Sequence, residues 1–198
     1  MKGLLERTLV LIKPDGVQRA LMGEIISRFE RPGFKIIGMK MVWPDENLAG
    51  VHYADDEAWL KSVGEKTLAS YAKKGMPMKD DALTIGRRVR EQLMNFISMS
   101  PVVALCLEGH GVIDKVRKIV GDTNPAAAVP GTIRGDFSLD SYGLADQCGR
   151  TMQNLIHASD SPATAEKEIT LWFKENELHP YQRVDEAFLY RTCEARKK

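Results

Sequence analysis

An α/β (α+β) fold is predicted by three features of the 198-residue chain: an unbroken β-branched and apolar run at 8–12, apolar residues spaced by three and four after it, and alternation of these two patterns down the chain. Hydrophobic residues make up 43% and charged residues 28%, the balance of a globular domain with ample core. A net charge of +1 supplies no general pull toward nucleic acid or an anionic bilayer, so neither is expected as a partner. Cys106, Cys148 and Cys193 lack metal-type or CxxC spacing. With no secretory hydrophobic stretch and no apolar run long enough to span a bilayer, a reduced, cytoplasmic setting is expected. The basic spots Lys73-Lys74, Arg87-Arg88-Val89-Arg90 and Arg196-Lys197-Lys198 read as solvated faces.

The first strand, Thr8 to Ile12, suits a position covered on both faces, and it stops at Lys13-Pro14-Asp15-Gly16, a turn by composition. A lysine there puts an ammonium at the sheet's edge, either to hold a phosphate or to snorkel. Leu21, Ile25, Ile26 and Phe29 mark an amphipathic helix stopped by Pro32-Gly33. Phe34 to Val42 is the second strand, after which Asp45 caps a helix through Leu48, Val51 and His52-Tyr53. Trp59, Leu60, Val63 and Leu68 indicate a further helix, residues 73–78 a loop, and Leu93, Phe96 and Ile97 another helix. The third strand runs from Pro101 to Leu107 and ends at Glu108-Gly109; Val112, Val116, Ile119 and Val120 then form a helix whose outer face carries Lys115, Arg117 and Lys118. An irregular stretch from Asp122 to Asp136 leads to a fourth strand around Met152 to Ala158. The last residues, from Tyr181 on, are expected to pack Phe188-Leu189-Tyr190 over the body. The order β-α-β-α-β-α-β-α is that of a ferredoxin-like split βαβ core, a four-stranded antiparallel sheet with helices. A mainly helical insertion is expected at 54–90 and a C-terminal extension at 175–198.

The chemistry gathers at Asn154-Leu155-Ile156-His157-Ala158-Ser159-Asp160-Ser161. Ser161 is a good N-cap, Pro162 suits the first helical turn, and Ala165, Ile169, Trp172 and Phe173 continue the helix. Glu168 shares their inward face, where a carboxylate needs a polar partner. His157 at the mouth of that helix is the candidate: a nucleophile oriented by Glu168 and Ser159. Other residues have plainer readings on their own. Arg117 is a surface helix residue, Arg134 has Asp136 close by to pair with, and Thr123-Asn124-Pro125 is a helix exit and turn. His52, His110 and His179 have no comparable neighbourhood and are taken as structural or surface residues.

Together with Lys13-Pro14-Asp15-Gly16-Val17-Gln18-Arg19, Thr123-Asn124-Pro125 and Pro130-Gly131-Thr132-Ile133-Arg134-Gly135-Asp136-Phe137, that segment makes the chain resemble the nucleoside diphosphate kinase family. The resemblance runs from Arg7 to about Phe173 and implies one kinase domain over 1–198. It implies ping-pong transfer of a γ-phosphoryl group from a nucleoside triphosphate to a nucleoside diphosphate through a phosphohistidine on His157. Lys13, Arg117, Thr123 and Arg134 would hold the phosphates, with Mg2+ bridging them and no side chain assigned as a direct metal ligand. Asn154 would hold the ribose hydroxyl, with Lys13 reaching toward it. Tyr53 would lie near the histidine and lysine, Ser159 and Glu168 would fix the imidazole, and Asp160 would support the turn.

The chain departs from the family pattern in three places. The segment between Tyr53 and Pro101 is enlarged, and counting back from Pro101 puts Arg90 where the family stacks a phenylalanine on the base; Met94 or Phe96 are the other candidates. A second insertion falls between Asp136 and Asn154. Ala158 replaces the glycine usual after the histidine, a strained choice if that position needs φ > 0. Family members form dimers assembled into hexamers or tetramers, so a homo-oligomer is expected. Contacts to phosphate and sugar imply broad base tolerance. The competing reading is a nucleotide-binding regulatory protein on the same fold. RNA binding is disfavoured by the 7% aromatic content and the balanced charge.

Overall fold

The apolar run near the start forms β1 (Leu5–Ile12), whose last five residues are all buried, as alternation between two covered faces requires. The computed structural model describes residues 5–53, 55–73, 75 and 78–190. In it β1 lies between β3 (Val102–His110) and β4 (Ile156–Ala158), with β2 (Lys35–Val42) beyond β3, in the order β2-β3-β1-β4. All pairings are antiparallel: Leu9 opposes Cys106, Lys35 opposes Glu108 and Leu11 opposes His157. With β1 and β2 on either side of an antiparallel β3, the connection between them crosses over, and the fold is the ferredoxin-like split βαβ.

The short helix α1 (Pro14–Gln18) and α2 (Met22–Glu30) make that crossover. Residues 13–16, a turn by composition, thus open a one-turn helix, because Pro14 at its first position presets a helical φ. α3 (Glu46–His52) begins under Asp45, whose carboxylate accepts from Leu48 N. α4 (Glu57–Lys73) and α5 (Ala82–Ser98) fill the region expected to be helical, and α5 continues past residue 90 toward β3. After β3 come α6 (Val112–Val120), α7 (Ile133–Phe137), α8 (Tyr142–Gln147), α9 (Pro162–Trp172) and α10 (Glu186–Leu189). The core is continuous from the sheet to α2, α6 and α9, through Leu11, Leu105, Phe29, Val116 and Trp172. Among the described residues no helix is long and apolar enough to cross a membrane.

Three boundaries differ from the sequence reading. β3 runs on through Glu108 and Gly109, because the Glu108 carboxylate is met by Arg7 at 2.9 Å and Lys35 at 2.8 Å and so can sit in a buried strand. β4 is only three residues long: Asp140 takes the Gln153 N–H, and Leu155 has φ +68°, which no strand accommodates. The C-terminal segment anchors through backbone and charge rather than through its aromatics. His179 N donates to Ile37 O at 2.6 Å, and Lys35 Nζ reaches Tyr181 O and Glu186. Phe188 is 78% exposed and Leu189 61%. Ala54, Lys74, Met76-Pro77 and the tail with Cys193 lie outside the described residues.

Candidate active site

β4 and α9 are joined by a capped turn, and that turn aims the imidazole. Ser161 Oγ accepts from Thr164 N at 3.2 Å with Pro162 in the first turn, so α9 starts where the sequence places it. One turn on, Glu168 faces back toward β4. Its Oε1 lies 2.8 Å from His157 Nε2, and its Oε2 accepts from Ser159 Oγ at 2.5 Å. Ser159 is fully buried, and its Oγ also accepts from Leu9 N, which ties the arrangement to the central strand. A carboxylate partner assigns the imidazole proton to Nε2 and leaves the lone pair on Nδ1. No hydrogen bond within the described residues engages that nitrogen. A quarter of the His157 side chain is exposed.

Cations gather beside it. Lys13, the residue after β1, is buried, with Nζ donating to Asn154 Oδ1 at 2.8 Å. Burial and the nearby Arg134 charge lower its pKa to about 8, against a smaller opposing pull from Asp15. Asn154 Nδ2 donates to Thr123 O, which brings the loop after α6 into the site. Arg134 does not pair with Asp136, whose carboxylate is held by Arg28 at 2.7 Å. Its guanidinium donates instead to the carbonyls of Gly121, Asp122, Asn154 and Ile156. Four of its five N–H groups are thereby used, leaving one on Nη2. Burial lowers the pKa of Arg134 to about 10. Arg117, exposed on α6, lies close enough to act electrostatically on both Arg134 and Asp160.

His52 is the residue the sequence reading missed. Its side chain is 1% exposed, and its ring stands edge-on to His157, Tyr53 and Trp172 with centroids 4.8, 4.8 and 5.6 Å away. Trp172 Nε1 donates to His52 Nδ1, so the ring's own proton sits on Nε2, where it has no hydrogen-bond partner. Burial first, then the neighbouring His157 and Lys13, holds His52 well below the ordinary imidazole pKa. Its spacing of four from Leu48 placed it on the inward face of α3, the signal that could have found it. Tyr53 is largely enclosed, and burial with the Glu168 charge pushes its phenol far up.

Arg90 Nε donates to Tyr53 O at 2.6 Å and Nη2 to Gly50 O at 3.0 Å, so its guanidinium plane is fixed across the C-terminal end of α3. Met94 is half-buried beside it, 3.4 Å from where a Gly50 Cβ would be. Phe96 is core, with Lys13 Nζ 5.9 Å from its ring centre. Ala158 keeps a negative φ, so the glycine it replaces is not required; the left-handed residue in this segment is Leu155. Among the described residues, His52, His157 and Glu168 form the only trio of His, Cys, Asp or Glu side chains with donor atoms within 4.8 Å of one another. Two nitrogens and an oxygen suit a transition metal rather than Mg2+, and His52 offers no free lone pair.

A carboxylate-braced imidazole on a split βαβ sheet, with a buried ammonium and guanidinium tied to the residues just before it, suits a phosphotransferase. The chain matches the profile of the nucleoside diphosphate kinase family over residues 6–66 and 83–178, and it belongs to that family. The nucleoside diphosphate kinase of Pyrobaculum aerophilum is 45% identical over 178 residues, which cover 87% of this chain and 97% of the relative. That of Thermococcus kodakarensis is 41% identical, covering 98% and 91%. Among solved structures, the NDP kinase from Pyrobaculum aerophilum superposes with a TM-score of 0.86 at 43% identity, covering 89% of this chain and all of the other. A nucleoside-diphosphate kinase from Borrelia burgdorferi, in a transition-state mimic with bound vanadate and ADP, superposes at 0.77 with 40% identity, covering 96% and 99%. The reaction is therefore transfer of the γ-phosphoryl group of a nucleoside triphosphate to a nucleoside diphosphate.

Proposed function

We propose that His157 Nδ1 is the phosphoryl carrier. The observation that carries this reading is the pair of bonds holding Glu168 between His157 Nε2 and Ser159 Oγ. In the first half-reaction the Nδ1 lone pair forms a bond to the γ-phosphorus while the bond from phosphorus to the β-phosphate oxygen breaks. The nucleoside diphosphate departs with that electron pair. The ring becomes cationic in the process, and Glu168 stabilises it through the proton on Nε2. The second half-reaction is the reverse, with another diphosphate's β-oxygen as nucleophile. Lys13, the remaining N–H of Arg134, Arg117 and Thr123 take the non-bridging oxygens, where charge gathers in a loose transition state. Asn154 binds the ribose hydroxyl, Tyr53 closes the wall beside His157 and Lys13, and the base lies against the fixed guanidinium of Arg90 and Met94. A flat stack without base-edge contacts gives broad base tolerance.

The family's enzymes need a divalent metal, and we assign Mg2+. The residues present suit an ion that arrives on the nucleotide, because Mg2+ prefers phosphate oxygens and water to an all-protein cage. When bound it neutralises phosphate charge. We also assign a cytoplasmic homo-oligomer, dimers assembled into hexamers or tetramers.

The test is incubation with γ-radiolabelled ATP followed by a chase with unlabelled GDP, for wild type and His157→Ala. Acid-labile, base-stable label on wild type alone, chased into GTP, is the expected result. Label absent from both proteins while nucleotide still binds would leave a nucleotide-binding regulator.

A further inference from the structure

The mechanism leaves one buried carboxylate and one strained backbone without a role, and they touch. Leu155, between Asn154 and His157's strand, has φ +68°, and Ile156 N donates to Asn154 O at 2.8 Å. That bond spans two residues and closes a γ-turn with a left-handed centre, a form that is rare because it is strained. Leucine gains nothing from this conformation itself, so the surroundings must impose it. They do so from one place, the turn after β1. Lys13 N donates to Leu155 O at 2.8 Å, and Leu155 N donates to Asp15 Oδ2 at 2.9 Å, so both polar groups of the strained residue are held by that turn. Gly16 completes the contact, since a Cβ there would lie 3.0 Å from Leu155 O. Asp15 is itself only 6% exposed, and its Oδ1 has no hydrogen-bond partner, so it is buried at a cost that the Leu155 bond offsets first, with help from the Lys13 charge and the turn's own N–H groups.

The γ-turn decides where the neighbouring side chains go. In a regular strand Asn154 and Ile156 would share one face and His157 the other. Folding the chain back at Leu155 swings Asn154 inward to meet Lys13 Nζ and Thr123 O, while leaving His157 paired opposite Leu11. It also turns the Asn154 and Ile156 carbonyls onto Arg134. We propose that Asp15 is a positioning residue for phosphoryl transfer: it clamps the Leu155 γ-turn and thereby sets Lys13, Asn154 and Arg134 in register with His157. This inference rests on His157 as the carrier, which labelling of the wild type tests separately.

The decisive measurement is the single-turnover rate of His157 phosphorylation by ATP, with thermal unfolding recorded for each variant. Asp15→Ala removes the acceptor and is expected to lower the rate by about 10²-fold, the scale of a misplacement near 1 Å. Asp15→Asn keeps an oxygen for Leu155 N and is expected to recover the rate to within a few-fold of wild type. Gly16→Ala leaves the polar groups of the site in place but presses on Leu155 O as well as on the nearer Ile12 side chain, and is expected to slow the same step. A wild-type rate in Asp15→Ala would overturn the proposal. So would an Asp15→Asn variant as slow as Asp15→Ala, because the role would then be the charge and not the clamp. If Asp15→Ala does not fold, the Asp15→Asn and Gly16→Ala pair decides: both at wild-type rate, or a slow Asp15→Asn, overturns it.

Discussion

Lys13 is the residue whose environment makes the sharpest prediction. Its ammonium is buried beside Arg134, which brings its pKa from 10.5 to about 8. Because the folded value lies below the unfolded one, the cost of burying the charge is fully present below pH 8. It is relieved as pH rises toward 10.5, so this group's contribution to stability increases over that window. Activity moves the other way, since only the ammonium can meet phosphate oxygens. The value of kcat/KM should fall above about pH 8, and the limb in kcat should lie higher, because bound phosphate favours the charged lysine. Whatever activity remains in Lys13→Arg should lack that limb; an unshifted limb in that variant would assign the titration elsewhere. Much at this scale was legible in advance. A capping serine, a proline and an inward glutamate together pointed at His157, because each follows from local helix geometry. His52 was not legible in the same way: its surroundings come from α9 and β4, more than a hundred residues away. Nor was Leu155, since strain imposed by a distant turn leaves no mark on the strained residue's own type.

The element that departs most from a plain helical connection is the hairpin of α4 and α5. Two close approaches hold it: a Cβ on Gly64 would fall 1.8 Å from Ala82 O, and one on Gly86 would fall 2.1 Å from Leu60 O. Leu60 and Gly64 are four apart, as are Ala82 and Gly86, so the antiparallel helices meet backbone to backbone along facing ridges. Neither helix can shift without the other, and α5 carries Arg90, which fastens the end of α3 that bears His52 and Tyr53. Gly64→Val and Gly86→Val should each destabilise the protein by about 1–3 kcal/mol, the usual cost of overpacking. That amounts to roughly 5 °C in Tm for a chain of this size. Each should also raise KM for nucleotide through the displaced Arg90. An unchanged Tm in both would mean that the hairpin yields freely. The apolar spacing found both helices, because that pattern is local. It could not show the glycine seam, since a glycine inside a helix looks the same whether it faces solvent or a second backbone. The fourth strand was read too long for a related reason: nothing in the residue types from Met152 to Ile156 shows that Asp140 withdraws the Gln153 N–H from pairing.

At the scale of the whole molecule, the sheet has one edge that the chain only half covers. β2 is outermost, and its first half is closed by the C-terminal segment, where His179 N meets Ile37 O and Leu178 and Phe173 crowd Gly38. Beyond Gly38 the cover narrows to Lys40, which reaches Glu177 at 2.7 Å and lies over the Phe173 ring. Met39, Met41 and Trp43 are then 59%, 57% and 65% exposed along a free strand edge. Large apolar side chains beside unpaired backbone groups are what a lone monomer avoids, because such an edge invites pairing. The sequence resemblance led to an expected homo-oligomer, and this edge is where a second copy has both hydrogen bonds and apolar area to gain. The edge lies three strands from β4, so subunits joined there would leave His157 open to nucleotide. Met39→Lys with Met41→Lys should therefore shift the sedimentation coefficient to that of a smaller species. It should lower Tm in a concentration-dependent way, and His157 should still be labelled by ATP. If the double variant sediments as the wild type does, assembly uses another face, and the exposed methionines need a different partner.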